Sequence, residues 1–304
     1  MYNFPECIPC LLNQLLYVLD KCNVSQKERE EFYYKWVKKI AVEVPEKKPM
    51  EIATELHRDV RKKFNIDPFV DIKELSDNVI SKNESIIKNY FEKAQDLNTM
   101  LSLVISGNLI DIKTHDEVER LDIEKIMKIG LSKEFIIDHS DILAEKLNQA
   151  EKILYLGDNV GETYFDKYFI SWLSEAGKEV TFAVRGDTVL NDATTEDAIK
   201  SGIDKVCYKL ISNGYDAPGT EFDKSSEEFK KIFLEADLII SKGQGNLETL
   251  YSNNSQHIFF LLLTKCRAIA NMMGTNPNDP VIIYNKKIFK NAYESRTKTR
   301  MKRE

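Results

Sequence analysis

Ile153-Leu154-Tyr155-Leu156-Gly157-Asp158-Asn159-Val160-Gly161-Glu162 is an apolar run that stops at Gly-Asp-Asn and passes directly into a helical pattern. A strand, a tight loop and a helix in that order are the punctuation of an α/β domain. The acid and the amide fall where the C-terminal end of a strand opens into a crevice, the place where open parallel sheets hold ligands. Two adjacent oxygen-bearing side chains there point to a hard metal ion or a phosphate-bearing substrate.

Outward from this loop the two halves of the chain read differently. After it, strands are expected at 152–156, 179–184, 204–208, 237–241, 257–263 and 280–285, with helices such as 161–176 and 226–235 between them. That alternation predicts a doubly wound, mostly parallel sheet. Before it, Leu11, Leu12, Leu15, Leu16 and Leu19 repeat at helical spacing. Phe32, Trp36, Ile40 and Val44 do the same until Pro45 breaks the run. Further helices are expected near 71–92 and 94–106, the last closed by Gly107 and Asn108 in left-handed conformations. The fold class is therefore α/β: an all-helical segment over residues 1–148, then an α/β domain over residues 149–304.

The bulk properties exclude several classes. Of 304 residues, 42% are hydrophobic and 30% charged, enough apolar material for a real core. A net charge of −6 argues against general nucleic-acid binding. No apolar run approaches the ~18 residues of a membrane span. The start, Met1 to Glu6, lacks the basic and apolar regions of a secretory signal. Five cysteines without a repeating framework suit a reducing cytoplasm. The end, from Lys286 to Glu304, carries eight Lys or Arg against two Glu and reads as a solvated basic tail.

Successive parallel strands aim their C-terminal ends at one edge. That edge collects Asp158 and Asn159, then Arg185-Gly186-Asp187 with Asn191-Asp192-Ala193-Thr194, then the turn-rich Asn213 to Gly219. Ser241 to Asn246 follow, and finally Thr264, Lys265 and Arg267. Asp158, Asn159 and Asp192 offer three oxygens, two of them anionic, which suits magnesium, manganese or a similar divalent ion such as cobalt or nickel. Lys242 supplies a point charge for a phosphate. Gly243 and Gly245 let backbone N–H groups approach it, and a helix starting near Asn246 adds its positive end. Each piece has a plain alternative. Asp and Asn after a strand are common caps, Asn191 to Thr194 can simply start a helix over 195–201, and Lys242 to Gly245 is too short for a phosphate-loop motif.

The same residues resemble the damage-control phosphatase family, long catalogued as domain of unknown function 89, in its compact prokaryotic and archaeal branch. Gly157 to Glu162, Leu190 to Thr194 and Lys242 to Asn246 look like its three signatures. Ser106 to Asp111 is similar to its Gly-Asn-x-Ile-Asp segment, and Cys7-Ile8-Pro9-Cys10 to its microbial CxxC. The resemblance implies a helical N-terminal domain beside a Rossmann-like α/β domain. It implies a metal-dependent phosphatase acting on small phosphorylated metabolites, often sugar phosphates or damaged phospho-compounds. Metal ligands carry over to Asp158, Asn159 and Asp192, and the phosphate-binding lysine to Lys242. Gly243, Gly245, Asn246, Asn108 and Glu162 are the further substrate or phosphate contacts. Asp187 departs from the pattern, where an apolar residue or proline is expected, and puts the shape of the loop before Asn191 in question.

Cys7 and Cys10 have half the spacing of a zinc site and no second half. A structural role, a second metal or pocket role and a redox pair all remain open. His57, His115, His139 and His257 show no ligand spacing. The expected reaction is attack by water on a phosphate ester, with Asp158 or Asp192 orienting the water. An Asp nucleophile is the alternative. Two other classes stay in play: a nucleotide- or S-adenosylmethionine-dependent transferase, and a non-catalytic metabolite-binding protein. The carboxylate inside the Gly157–Gly161 turn argues against a dinucleotide loop. Oligomeric state is not legible.

Overall fold

A computed structural model describes residues 4–44, 46–110 and 121–287. Among them, one sheet is built from β1 (Ile137–Asp138), β2 (Lys152–Leu156), β3 (Glu179–Val184), β4 (Lys209–Ser212), β5 (Leu238–Lys242), β6 (Ile258–Leu263) and β7 (Pro280–Tyr284). The strand order is β1-β7-β6-β5-β2-β3-β4. Neighbours are parallel except β6 and β7, so the chain is a mixed α/β protein with a mostly parallel sheet. The order reverses at β2, whose neighbours are β3 and β5, and a crevice opens there at the strands' C-terminal ends.

Side chains alternate between two cores, as the period-two geometry of a strand requires. Ile153, Tyr155, Val180, Phe182, Leu238, Ile240, Phe259 and Leu261 face one core. Leu154, Leu156, Ala183, Ile239, Phe260 and Leu262 face the other. Both faces are covered, which is why the strands read as continuous apolar runs.

Ahead of β2 lie α1 (Cys7–Lys21), α2 (Gln26–Glu43), α3 (Pro49–Phe64), α4 (Val70–Lys82), α5 (Glu84–Glu92), α6 (Leu97–Ser106), α7 (Ile123–Ser132) and α8 (Ser140–Gln149). After it come α9 (Thr163–Glu175), α10 (Thr195–Ser201), α11 (Glu227–Glu235), α12 (Gly243–Leu250) and α13 (Arg267–Met273). Sequence signals set their ends. Ser25 and Glu28 form a capping box on α2, and Asp96, Asp122 and Ser226 cap α6, α7 and α11. Asn65, at φ 53°, closes α3. The first core runs unbroken from Leu11 and Trp36 to Phe259 and Tyr284, so the early helices share it with the sheet.

Several expectations are corrected. The strand expected at 204–208 is a 3-10 turn, Ile203–Lys205, followed by β4 at Lys209–Ser212. Gly202 turns the chain out of α10, and Val206 and Cys207 bond back to the Ile203 carbonyl, so extended pairing with β3 starts only at Lys209. Residues 137–138, inside the segment read as all-helical, pair with β7. The helix expected over 71–92 is two, divided at Asn83, whose amide bonds back to the Val79 carbonyl. Gly107 and Asn108 are not left-handed. They continue α6 as a right-handed 3-10 turn, Gly107–Leu109, that drives Asn108 inward. The helix expected to start near Asn246 starts at Gly243. Pro45, Asp111, His115 and the basic tail beyond Lys287 lie outside the described residues.

Helix α3 is clamped to the sheet's rim. Arg58 and Arg61 both bind the Asp216 carboxylate in the loop after β4, and Arg58 stacks on Tyr215 at 4.7 Å. Arg61 also donates to the Thr188 carbonyl. Lys73 of α4 pairs with Asp197 of α10 at 2.9 Å, and Tyr164 donates to Asp77 at 2.8 Å.

Candidate active site

At the C-terminal ends of β2 and β5, four carboxylates converge: Asp158, Glu162, Asp166 and Asp192, all buried. Two elements place them. The loop after β2 turns through Asn159 into the 3-10 segment Val160–Glu162 and then α9, which puts Glu162 and Asp166 four residues apart on one face. The loop before α10 lies alongside. Val160 donates to the Asn191 carbonyl at 2.9 Å and Ala193 to the Asp158 carbonyl at 2.8 Å, and Asn159 and Asp192 face each other as an isolated antiparallel bridge. Thr194 forms a capping box with Asp197, so this loop does start α10 while also delivering Asp192.

Two buried cations divide the carboxylates between them. Arg185, at the end of β3, donates through Nε to Asp192 at 2.6 Å and through Nη2 to Asp158 at 3.4 Å. Lys242, fully buried, donates to Glu162 at 2.9 Å, Asp166 at 2.8 Å and the Val104 carbonyl at 3.3 Å. Three acceptors use all three ammonium protons. Lys242, expected from the sequence as a point charge for a phosphate, is buried and holds two of the site's carboxylates. Asn108 is tied to the same group: its amide donates to Glu162 and its oxygen accepts from Leu263 N at 3.3 Å. Tyr155 donates to Asp166 at 2.7 Å.

Gly243 shows how closely the pieces fit. Its φ is 77°, and a Cβ there would overlap the Asp158 carboxylate. Only glycine permits both the turn and the approach. Asn246 supports the loop from behind, with its amide on the Gly157 and Lys242 carbonyls at 3.1 and 2.8 Å and its oxygen accepting from Thr220 at 2.9 Å.

A cavity of about 770 Å³ opens above these groups, between α1, α3 and the rim loops. Asp158, Asn159, Asp192, Gly245 and Lys265 line it, together with Cys7 and Cys10 of α1 and Cys266 at the start of α13. Among the described residues, Lys242, Gly243, Asn246, Asn108 and Glu162 do not line it; they form the layer below. Arg185, Asp166 and Lys265 belong to the arrangement although motif reading did not select them. Arg185 and Lys265 follow strands in the rim list, and Asp166 has the four-residue spacing from Glu162, but neither signal separates them from ordinary surface charges. Among the described residues Cys7, Cys10 and Cys266 form no disulfide. His257 stacks on Tyr284 away from the cavity, and His57 is buried against Phe69.

The charge balance is negative. Burial pushes the Asp158 carboxyl well above its ordinary range, Asp192 and Glu162 push it further, and Arg185 and Lys265 oppose them. Burial also raises Asp192, against Arg185. Burial would raise Glu162, but Lys242 and Lys265 outweigh it and hold this carboxyl below its usual value. Asp166 is pushed up to about 6, chiefly by burial. Its Oδ2 is buried without a hydrogen-bond partner, so nothing at that oxygen offsets the cost of burying the charge.

The donor set fits a divalent cation. Asn159 directs its amide N–H groups at Asp158 and Glu162, at 3.2 and 2.7 Å, which fixes the rotamer so that its oxygen is the acceptor left over. Among the described residues no three His, Cys, Asp or Glu side chains form a cage. A cation here would rest on Asp158, Asp192 and the Asn159 oxygen, with water or substrate completing its shell.

A sequence profile described as the damage-control phosphatase ARMT1-like domain matches residues 3–281. A damage-control phosphatase of Pyrococcus horikoshii is 36% identical over 286 residues, covering 92% of this chain and 97% of that protein. A damage-control phosphatase of Archaeoglobus fulgidus is 30% identical over 288 residues, covering 91% and 97%. The crystal structure of a DUF89 family protein from Pyrococcus horikoshii superposes with a TM-score of 0.86 at 34% identity, covering 94% of this chain and 99% of that one.

Proposed function

The chain belongs to the damage-control phosphatase ARMT1-like family, and from that premise we propose that it hydrolyses phosphate monoesters of small metabolites with the help of a divalent ion on Asp158, Asn159 and Asp192. The observation that carries this is the cavity floor, where an excess of carboxylates meets a rim lysine and a glycine backbone. A manganese, cobalt, nickel or magnesium ion bound there would polarise a phosphate oxygen and acidify a water. In this reading Lys265 and the Gly245 backbone, which both line the cavity, hold the other phosphate oxygens. Arg185 orients Asp192 through its 2.6 Å bond and braces Asp158. Lys242 keeps Glu162 ionised so that Glu162 can hold the Asn159 amide. Asp158 or Asp192 then accepts the proton of the attacking water. In this proposal the sheet is a Rossmann-like, doubly wound catalytic half over 149–304, and residues 1–148 select the substrate. The setting is a reducing cytoplasm. Among the described residues no helix is long and apolar enough to cross a membrane.

The test is phosphate release by the purified protein after EDTA treatment and after adding back each ion. Activity lost with EDTA and restored by one ion is expected. Release that is indifferent to EDTA contradicts the proposal.

A further inference from the structure

Besides its charged groups, the cavity is lined by an apolar set: Tyr17, Met50, Ala53 and Phe69 from the helical half, and Leu190 and Ile269 from the rim. Phe69 is its centre. Tyr17 stacks on it at 5.3 Å, and the buried His57 packs against it edge-on at 5.6 Å. These contacts pack the ring, which keeps only a small part of its surface exposed to the cavity. Leu190 is held at φ 49°, in the left-handed region that a leucine rarely occupies, so the loop carries backbone strain where this side chain meets the cavity.

Two of the amide side chains that line the cavity are already engaged. Gln14 bonds to Cys10 at 3.6 Å and faces His57 at 3.4 Å. Gln244 donates to Glu248 at 2.8 Å and accepts from the Lys265 and Cys266 amides at 2.8 and 3.3 Å. Glu6 and Asn13 are exposed to solvent. Asn191 lies at the floor end, beside Asp192. A sugar's hydroxyls would find no partner on the Met50, Ala53, Phe69, Leu190 and Ile269 side chains, and a buried hydroxyl without a partner is costly.

We propose that the substrate's non-phosphate arm is apolar and flat-faced, an aromatic or similarly unhydroxylated group that packs on Phe69 while its phosphate reaches Lys265. This rests on the phosphatase reading and narrows it, away from the sugar phosphates that the family resemblance suggested. The volume, about 770 Å³, leaves room for a group well beyond a phosphate ion.

The test compares benzyl phosphate with glucose 6-phosphate, both esters of primary alcohols, for the wild type and for Met50→Gln and Leu190→Asn. Asn tolerates the left-handed backbone, so the loop is kept while the wall becomes polar. The expected result is a kcat/KM about tenfold or more in favour of benzyl phosphate, carried by KM and reduced toward parity by both substitutions. Equal or better turnover of glucose 6-phosphate, or an equal effect of the substitutions on both esters, overturns the inference. Calorimetry with benzyl phosphate separates the two readings. Binding with no hydrolysis of either ester supports the wall and removes the phosphatase, whereas failure to bind removes the wall.

Discussion

Lys242 makes three contacts inside a fully buried site, to the Glu162 and Asp166 carboxylates and the Val104 carbonyl, which favours a structural role. Glu162 and Asp166 need its charge, and a buried ion pair that loses one partner leaves an uncompensated charge behind. Lys242→Met is expected to lower unfolding free energy by roughly 3–5 kcal/mol, measured by urea denaturation. A variant as stable as the wild type but inactive would instead make Lys242 a phosphate ligand. The sequence singled out this residue as a point charge for a phosphate, and its side chain is bound to two carboxylates. Spacing places a side chain at a strand end but does not say whether it points into the crevice or beneath it. Gly243 is the converse: it was legible as room for backbone N–H groups to approach a ligand, but the carboxylate that forbids a side chain there is visible only in three dimensions.

Among the elements, the strands flanked on both faces were the easiest to foresee. β2 and β3 fall at the expected residues, because two cores demand unbroken apolar runs. The edge strand β4 was displaced by several residues, since an edge has one partner and a weaker apolar signal. The two-residue β1 carries almost none. Helix α3 brings Met50 and Ala53 to the cavity. Its position depends on Asp216, which receives both Arg58 and Arg61. Arg58 is 42% exposed, so solvent screening discounts the pair. Asp216→Ala should cost on the order of 1–2 kcal/mol in stability. It should also raise KM several-fold while leaving kcat nearly intact, as steady-state kinetics would show. A fall in kcat with KM unchanged would place the clamp's influence at the carboxylate floor instead.

For the molecule as a whole, one core joins the early helices to the sheet, and a buried histidine sits within it. Burial, reinforced by Arg61, lowers the His57 pKa to about 3. The folded protein thus holds this imidazole neutral where the unfolded chain would protonate it. The resulting stability is complete above the unfolded value near 6.5 and is lost as pH falls toward 3. Between pH 7.5 and pH 5 this one group should remove about 2 kcal/mol of unfolding free energy. His57→Gln should lack that part of the loss. Comparing urea midpoints of the two proteins at both pH values isolates it from Asp166, whose raised pKa acts in the opposite sense between its unfolded value near 3.8 and about 6. The α/β class and the sharing of Asp158, Asn159 and Asp192 were legible from strand-end loops. The common core was not, because period alone does not say which helical face meets which sheet.

The most direct test of the floor is calorimetric titration of manganese into the EDTA-stripped protein and its Asp158→Asn variant. One ion per wild-type chain is expected, with affinity at least about a hundredfold weaker in the variant. Equal binding by the two proteins, or no binding by a wild type that still releases phosphate, would contradict a metal-dependent phosphatase built on Asp158, Asn159 and Asp192.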